Sequence, residues 1–111
     1  MKVNITIDDE FKRNAKRLSK KYRSFKEDLI AFQEDLLENP FRGDDLGGGV
    51  RKIRMAISSK GKGKSGGARV LTLNVLVQEA DTTNVTLLTI YDKGEIENVS
   101  DKFVKWLMEQ R

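Results

Sequence analysis

VLTLNVLVQEADTTNVTLLTIY, Val70 to Tyr91, is the stretch that decides the fold of this 111-residue chain. Val70 to Val77 is a nearly continuous apolar run, as expected of a strand near a sheet centre. QEADTTN, residues 78–84, reads as a turn, and Val85 to Tyr91 as a second strand. A connection this short cannot carry a parallel crossover, so the two strands pair antiparallel. Upstream, Val50 to Ile57 alternates. Ile53, Met55 and Ile57 share one face, and Lys52, Arg54 and Ala56 the other. It is a third antiparallel strand, joined to the hairpin by SSKGKGKSGGARV, Ser58 to Val70.

The N-terminal part has a different period. Val3, Ile5 and Ile7 alternate as a short strand, after which Asp8 or Asp9 can cap a helix. Phe11, Ala15, Leu18 and Tyr22 form one apolar stripe, and Lys12, Arg13, Lys16, Arg17, Lys20 and Lys21 form the outer face. Ser24 to Glu27 is a capping box that starts a second helix with the stripe Phe25, Leu29, Phe32 and Leu36, ended by Asn39–Pro40. RGDDLGGG, residues 42–49, is a turn region, and residues 92–98 are a polar connection. Ser100 or Asp101 can cap a last helix with Phe103, Trp106 and Leu107 on one face, where Phe103 and Trp106 read as core. The expected order is β-α-α-β-β-β-α. The fold class is α+β: a small curved antiparallel sheet with an N-terminal helical hairpin packed on it, the helices on one side, and a single domain over residues 1–111.

Charge is locally segregated. Phe11 to Lys26 holds eight basic residues and no acid, and Arg51 to Arg69 holds seven and no acid, against a net charge of +4. Such blocks favour polyanionic or acidic partners. There is no cysteine and no histidine. That excludes disulfides, thiolate metal sites and the commonest acid–base residue. The expectation is a protein without metal or cofactor, with no membrane partner and a cytoplasmic location, because the N-terminus has no apolar signal region and no run is long enough to span a bilayer.

Gly63–Lys64–Ser65 ends like a nucleotide-binding loop, but Ser58 stands where the first glycine should be. A leucine-rich strand follows where that loop needs a helix N-terminus. The neighbours of the loop carry more. Lys52 and Arg54 project from the strand before it and Arg69 enters the strand after it. In an antiparallel pair these can converge beside a basic tip, Lys60, Lys62 and Lys64, and handle a phosphodiester backbone. The bland readings are a solvated sheet face for Lys52 and Arg54, a core role for Tyr91, and a solvated helix face for Lys16 and Lys20.

The strings VRKIRMAI, SSKGKGKSGGARVLTL and LLTIYDKGEIENVS, with the N-terminal F-x-x-x-A-K-x-L-x-K-K-Y-x-S-F-x-x-D-L, resemble the RelE/HigB superfamily of toxins from bacterial type II toxin–antitoxin systems, from about Ile5 to Trp106. The resemblance implies an mRNA interferase: an endoribonuclease that cleaves mRNA, commonly on the ribosome, without a metal and by attack of the substrate 2′-hydroxyl. It implies a cognate antitoxin, mRNA and ribosomal RNA as partners, and operator DNA only through the antitoxin complex. By position, Lys52 and Arg54 match the family's basic pair, Arg69 the arginine opening the next strand, Lys93 the basic position after the last strand, and Tyr91–Asp92 a Tyr–Asp pair seen in some branches. In this reading Lys52 or Arg54 serves the nucleophile, Arg69 clamps the phosphate, and Lys93 or Tyr91 serves the leaving group. Lys16, Lys20, Lys60, Lys62 and Lys64 contact RNA. Gly94 and Val99–Ser100 depart from the family pattern, where an arginine and a tyrosine are usual. The alternative they favour is a non-catalytic RNA- or ribosome-binding module bound by an acidic partner.

Overall fold

In the computed structural model, residues 1–60, 66–96 and 98–111 are described. The elements are β1 (Lys2–Ile7), α1 (Asp9–Lys21), α2 (Phe25–Glu38), β2 (Asp44–Gly47), β3 (Val50–Met55), β4 (Ala68–Val77), β5 (Thr82–Asp92) and α3 (Asp101–Glu109). A short 3₁₀ turn, Ser58–Lys60, leaves β3 and another, Gln78–Ala80, joins β4 to β5. The strands form one sheet in the order β1-β5-β4-β3-β2. The α+β class and the antiparallel β3–β4–β5 unit are as expected.

Three details differ from the sequence reading. First, the sheet is mixed, because β1 pairs parallel with β5, from Lys2 opposite Thr82 to Ile7 opposite Leu87. The helical hairpin and the inner strands supply the long crossover that a parallel pair requires. Second, β2 lies inside the expected turn region, antiparallel to β3 and exposed throughout. Asp and Gly carry almost no strand signal, so main-chain pairing alone defines it. Third, the helices do not share one side. Phe11, Leu18, Phe25, Phe32 and Leu36 of α1 and α2 pack with Ile53, Met55, Val70, Val85, Leu87 and Ile90. Leu107 of α3, helped by Val99, Phe103, Val104 and Met108, packs with Val50, Leu71, Leu73 and Leu88 on the other face.

The two-sided burial explains why Val70 to Leu73 reads as a continuous apolar run. Successive side chains go to opposite faces, and both faces are covered. A bulge places Leu71 opposite Thr89 and Thr72 opposite Leu87. Leu88 is therefore the extra residue, and it feeds the α3 core. Leu107 anchors α3 at 4% exposure, a burial worth roughly 1.5–3 kcal/mol. Trp106, expected in the core, is 43% exposed and stacks on Phe103 with ring centroids 5.8 Å apart. The inward stripe of α3 runs through residues 103, 104 and 107, which leaves Trp106 on its flank.

The helix caps are mixed. Ser100 caps α3 by accepting from the Phe103 amide at 3.1 Å. Asp8 precedes α1, but its carboxylate takes the Arg111 guanidinium instead of capping. The expected Ser24–Glu27 capping box does not form. Ser24 Oγ donates to Asp28 Oδ2 at 2.7 Å, and Asp28 also accepts from the Ser58 amide and hydroxyl at 2.9 and 2.8 Å. Partial burial pushes the Asp28 carboxyl up, but these bonds outweigh it and hold it below its usual value. The first turn of α2 thus anchors the start of the β3–β4 loop.

Candidate functional site

Strand register builds the site. Arg54 of β3 lies directly opposite Arg69 of β4, which lies directly opposite Tyr91 of β5. All three project to the α3 face, because Ala68, Val70 and Ile90 between them serve the other core. Strands about 4.8 Å apart put the ends of this row roughly 10 Å from each other. Lys52 lies two residues from Arg54 on the same face, opposite Leu71. Two guanidinium groups directly opposite each other destabilise a sheet. Such a pairing suits a ligand with several anionic oxygens, which an arginine fork can bind two at a time. Arg69 Nη1 also donates to the Gly66 and Ala68 carbonyls at 3.2 Å each, which holds its head against the loop.

Tyr91 completes the row and is 4% exposed. Its hydroxyl, like Thr72 Oγ1 and Asn74 Oδ1, is buried without a hydrogen-bond partner among the described residues. Burial pushes the phenol up while the charge of Arg69 pulls it down, and the net direction is up. Tyr91 therefore keeps its proton at neutral pH. It lines a 300 Å³ groove with Glu10, Asn14 and Arg17 of α1 and Ile96, Val99 and Phe103 at the approach to α3.

Asp92, the next residue, faces the opposite side and is 1% exposed. Its Oδ1 accepts from Lys60 Nζ at 2.7 Å and from the Gly94 amide at 2.9 Å. Its Oδ2 accepts from the Tyr22 hydroxyl at 2.5 Å and from Lys21 Nζ at 3.3 Å. Burial pushes this carboxyl up, but Lys60, Tyr22, Gly94 and Lys21 together hold it well below the usual carboxylate range. Lys21 also donates to Glu95, as does Arg17. Hydrogen bonds to Glu95, Tyr22 and Asp92 hold the Lys21 ammonium above the usual lysine range. Gly67 has φ +76°, and a Cβ there would stand 2.5 Å from the Met55 carbonyl oxygen, so glycine is required two residues before Arg69.

The register thus brings Lys52, Arg54, Arg69 and Tyr91 to one face, with Lys93 just beyond the end of β5 and partly buried. It does not bring Lys16 and Lys20 there. They are exposed on α1, in the layer that covers the other face. Lys60 sits in the Asp92 cluster, while Lys62 and Lys64 lie outside the described residues. Sequence reasoning missed Lys21, Tyr22 and Glu95 as partners of Asp92. They are remote along the chain, and Tyr22 reads as one more member of an apolar stripe. The residue at 94 has a local reason to be small: a Cβ there would stand 3.3 Å from Asp92 Oδ1. No helix among the described residues is long and apolar enough to cross a membrane.

The fold is similar to that of an Escherichia coli RelE toxin double mutant, two arginines changed to alanine, in its free state. The TM-score is 0.56 at 18% identity, over 87% of this chain and 90% of that one. A family model described as the RelE toxin of the RelE / RelB toxin-antitoxin system matches residues 5–110. With nearly the whole chain matched, this protein belongs to the RelE toxin family.

Proposed function

We propose that this toxin is a metal-independent endoribonuclease that cuts mRNA, with the ribosome presenting the substrate and a cognate antitoxin holding it in check. The observation that carries the reading is the row Arg54–Arg69–Tyr91, two arginines opposite each other across strands beside a buried phenol with no partner among the described residues. The substrate 2′-oxygen attacks phosphorus, its proton passing to Lys52 or Arg54, whichever is in its uncharged form when the base acts. The bond from phosphorus to the 5′-oxygen then breaks. That oxygen takes a proton from Tyr91 or Lys93, leaving a 2′,3′-cyclic phosphate and a 5′-hydroxyl. Arg69, with Arg54, stabilises the extra negative charge on the phosphorane, a form of stabilisation that often dominates such reactions. Tyr91 holds a proton to give at neutral pH; burial makes it a weaker acid and the Arg69 charge beside it works in the opposite sense, favouring the phenolate that proton transfer leaves behind.

Inducing the protein alone in a bacterial host and mapping new 5′ ends on translated mRNAs, with Arg69→Ala in parallel, tests this. Cleavage within coding frames that vanishes in the mutant is the expected result; wild-type cleavage by the mutant overturns the assignment. A second reading, a non-catalytic RNA-binding module, is favoured by one observation, the 4% exposure of Tyr91. It requires intact transcripts together with salt-sensitive RNA binding.

A further inference from the structure

We infer that Lys60 and Asp92 form a positioning clamp for the site, and that Lys60 is a structural cation rather than an RNA contact. What is positioned depends on the ribonuclease reading above; the clamp itself stands on its distances. Lys60 and Gly67 both lie in the connection between β3 and β4. Lys60 Nζ spans from Asp92 Oδ1 at 2.7 Å to the Gly67 carbonyl at 3.2 Å. Each acceptor is shared with the chain after β5. The Gly67 carbonyl accepts the Lys93 amide at 3.1 Å, and Asp92 Oδ1 accepts the Gly94 amide at 2.9 Å. One ammonium therefore closes a ring through both ends of the loop and through residues 92–94.

The ring holds the two flanks of the proposed site. Arg69 lies two residues beyond Gly67, and Lys93 lies inside the ring. The clamp is also fixed from behind. The Lys60 amide donates to the Ile57 carbonyl at 3.1 Å, and Ser58 and Ser59 are bonded to Asp28 and Ser24. The Lys60 side chain is 15% exposed, and its ammonium lies 5.6 Å from the Tyr22 ring centroid. A phosphate could claim that ammonium only by stripping it from a carboxylate that would stay buried. The cation thus serves the scaffold, and acts on chemistry through the main chain of residues 67–69 and 93–94.

The test compares wild type, Lys60→Met, Lys60→Arg and Lys52→Met in three measurements: single-turnover cleavage of a translated mRNA, the salt dependence of RNA binding, and hydrogen exchange at the Lys93 and Gly94 amides. For Lys60→Met the expected results are a fall of about 10²-fold in the cleavage rate, as displacement by about an ångström produces, with KM unchanged. The salt slope should stay at the wild-type value, whereas Lys52→Met should lower it by about one ion. The two amides should exchange at least about tenfold faster, and Lys60→Arg should restore most of the loss. A slope reduced by about one ion with unchanged exchange makes Lys60 an RNA contact and overturns the clamp. Wild-type protein that cuts nothing defeats the ribonuclease reading, yet the exchange measurement still decides the clamp, which falls if both amides stay protected in Lys60→Met. Should Lys60→Met not fold, Tyr22→Phe removes one donor from Asp92. A smaller rise in exchange at the same amides supports the clamp, and none overturns it.

Discussion

Tyr91 and Asp92 are neighbours on one strand, both buried, and opposite in every other respect. Tyr91 looks to the α3 face, beside two arginines paired across strands, with no partner for its hydroxyl among the described residues. Asp92 looks to the α1 face and receives Lys60, Lys21, Tyr22 and the Gly94 amide. A buried polar group is normally satisfied, and an unsatisfied one costs free energy. On one side of the sheet a buried carboxylate is saturated by opposite charges and donors; on the other, two arginines stand opposite each other across strands and the phenol beside them has no partner among the described residues. The saturated cluster is what a scaffold needs. The frustrated row is what a ligand can complete.

The largest effect should come from breaking the saturated side. Asp92→Asn leaves Lys60 and Lys21 facing a neutral amide, one of them nearly buried. Removing one partner of a buried pair costs about 3–5 kcal/mol, so chemical denaturation should show a loss of that order. The acid limb gives the same answer. The Asp92 carboxyl is held below its unfolded value, near 3.9. Its stabilisation is present above that pH and is lost as pH falls through it toward the folded value. Wild type should therefore lose stability below about pH 4 more steeply than Asp92→Asn. Parallel acid limbs would mean that the cluster contributes little.

The frustrated side should respond the other way round. Arg69→Ala removes one of two cations opposed across strands and, with it, the bonds to the Gly66 and Ala68 carbonyls, so its stability should fall by no more than about 1 kcal/mol. Cleavage should nevertheless fall by about 10²–10³, the cost of removing one group that stabilises a developing oxyanion. A mutant that loses stability and activity together would place Arg69 in the scaffold and erase the contrast between the faces.

How much of this contrast the sequence discloses follows from the range of the interactions involved. The alternation of Lys52, Arg54, Met55 and Ile57, and the short connection before Val85, are local signals, and they correctly specify the antiparallel core. They also put Arg54 and Arg69 within reach of one another, but they do not disclose that the two stand directly opposite across β3 and β4, nor that a bulge at Leu88 shifts the β4–β5 register between the core and the Arg69–Tyr91 pair; only pairing reveals both. The Asp92 cluster was not legible, since Lys21 and Lys60 are 71 and 32 residues away. A lysine in a basic run looks the same whether it faces solvent or a buried carboxylate. The position of α3 was hidden for a similar reason. An amphipathic helix announces that it has a core-facing stripe, not which face of a sheet will receive it.

The smallest effect is the sharpest test, because its two readouts have opposite signs. Tyr91→Phe deletes a buried hydroxyl that has no partner among the described residues and changes little else. If the desolvation of that group is uncompensated, the mutant should gain about 1 kcal/mol, a rise of about 4 °C in a thermal melt for a domain of this size. If the hydroxyl protonates the 5′-oxygen, the same mutant should lose about 10² or more in cleavage rate. Stability gained where activity is lost is the mark of a group kept for chemistry at the expense of the fold. A stability loss would mean that the hydroxyl has a bonding partner in solution, and the row would then be as satisfied as the cluster around Asp92. A gain in stability with full activity would remove Tyr91 from the reaction and leave Lys93 as the donor to the leaving group.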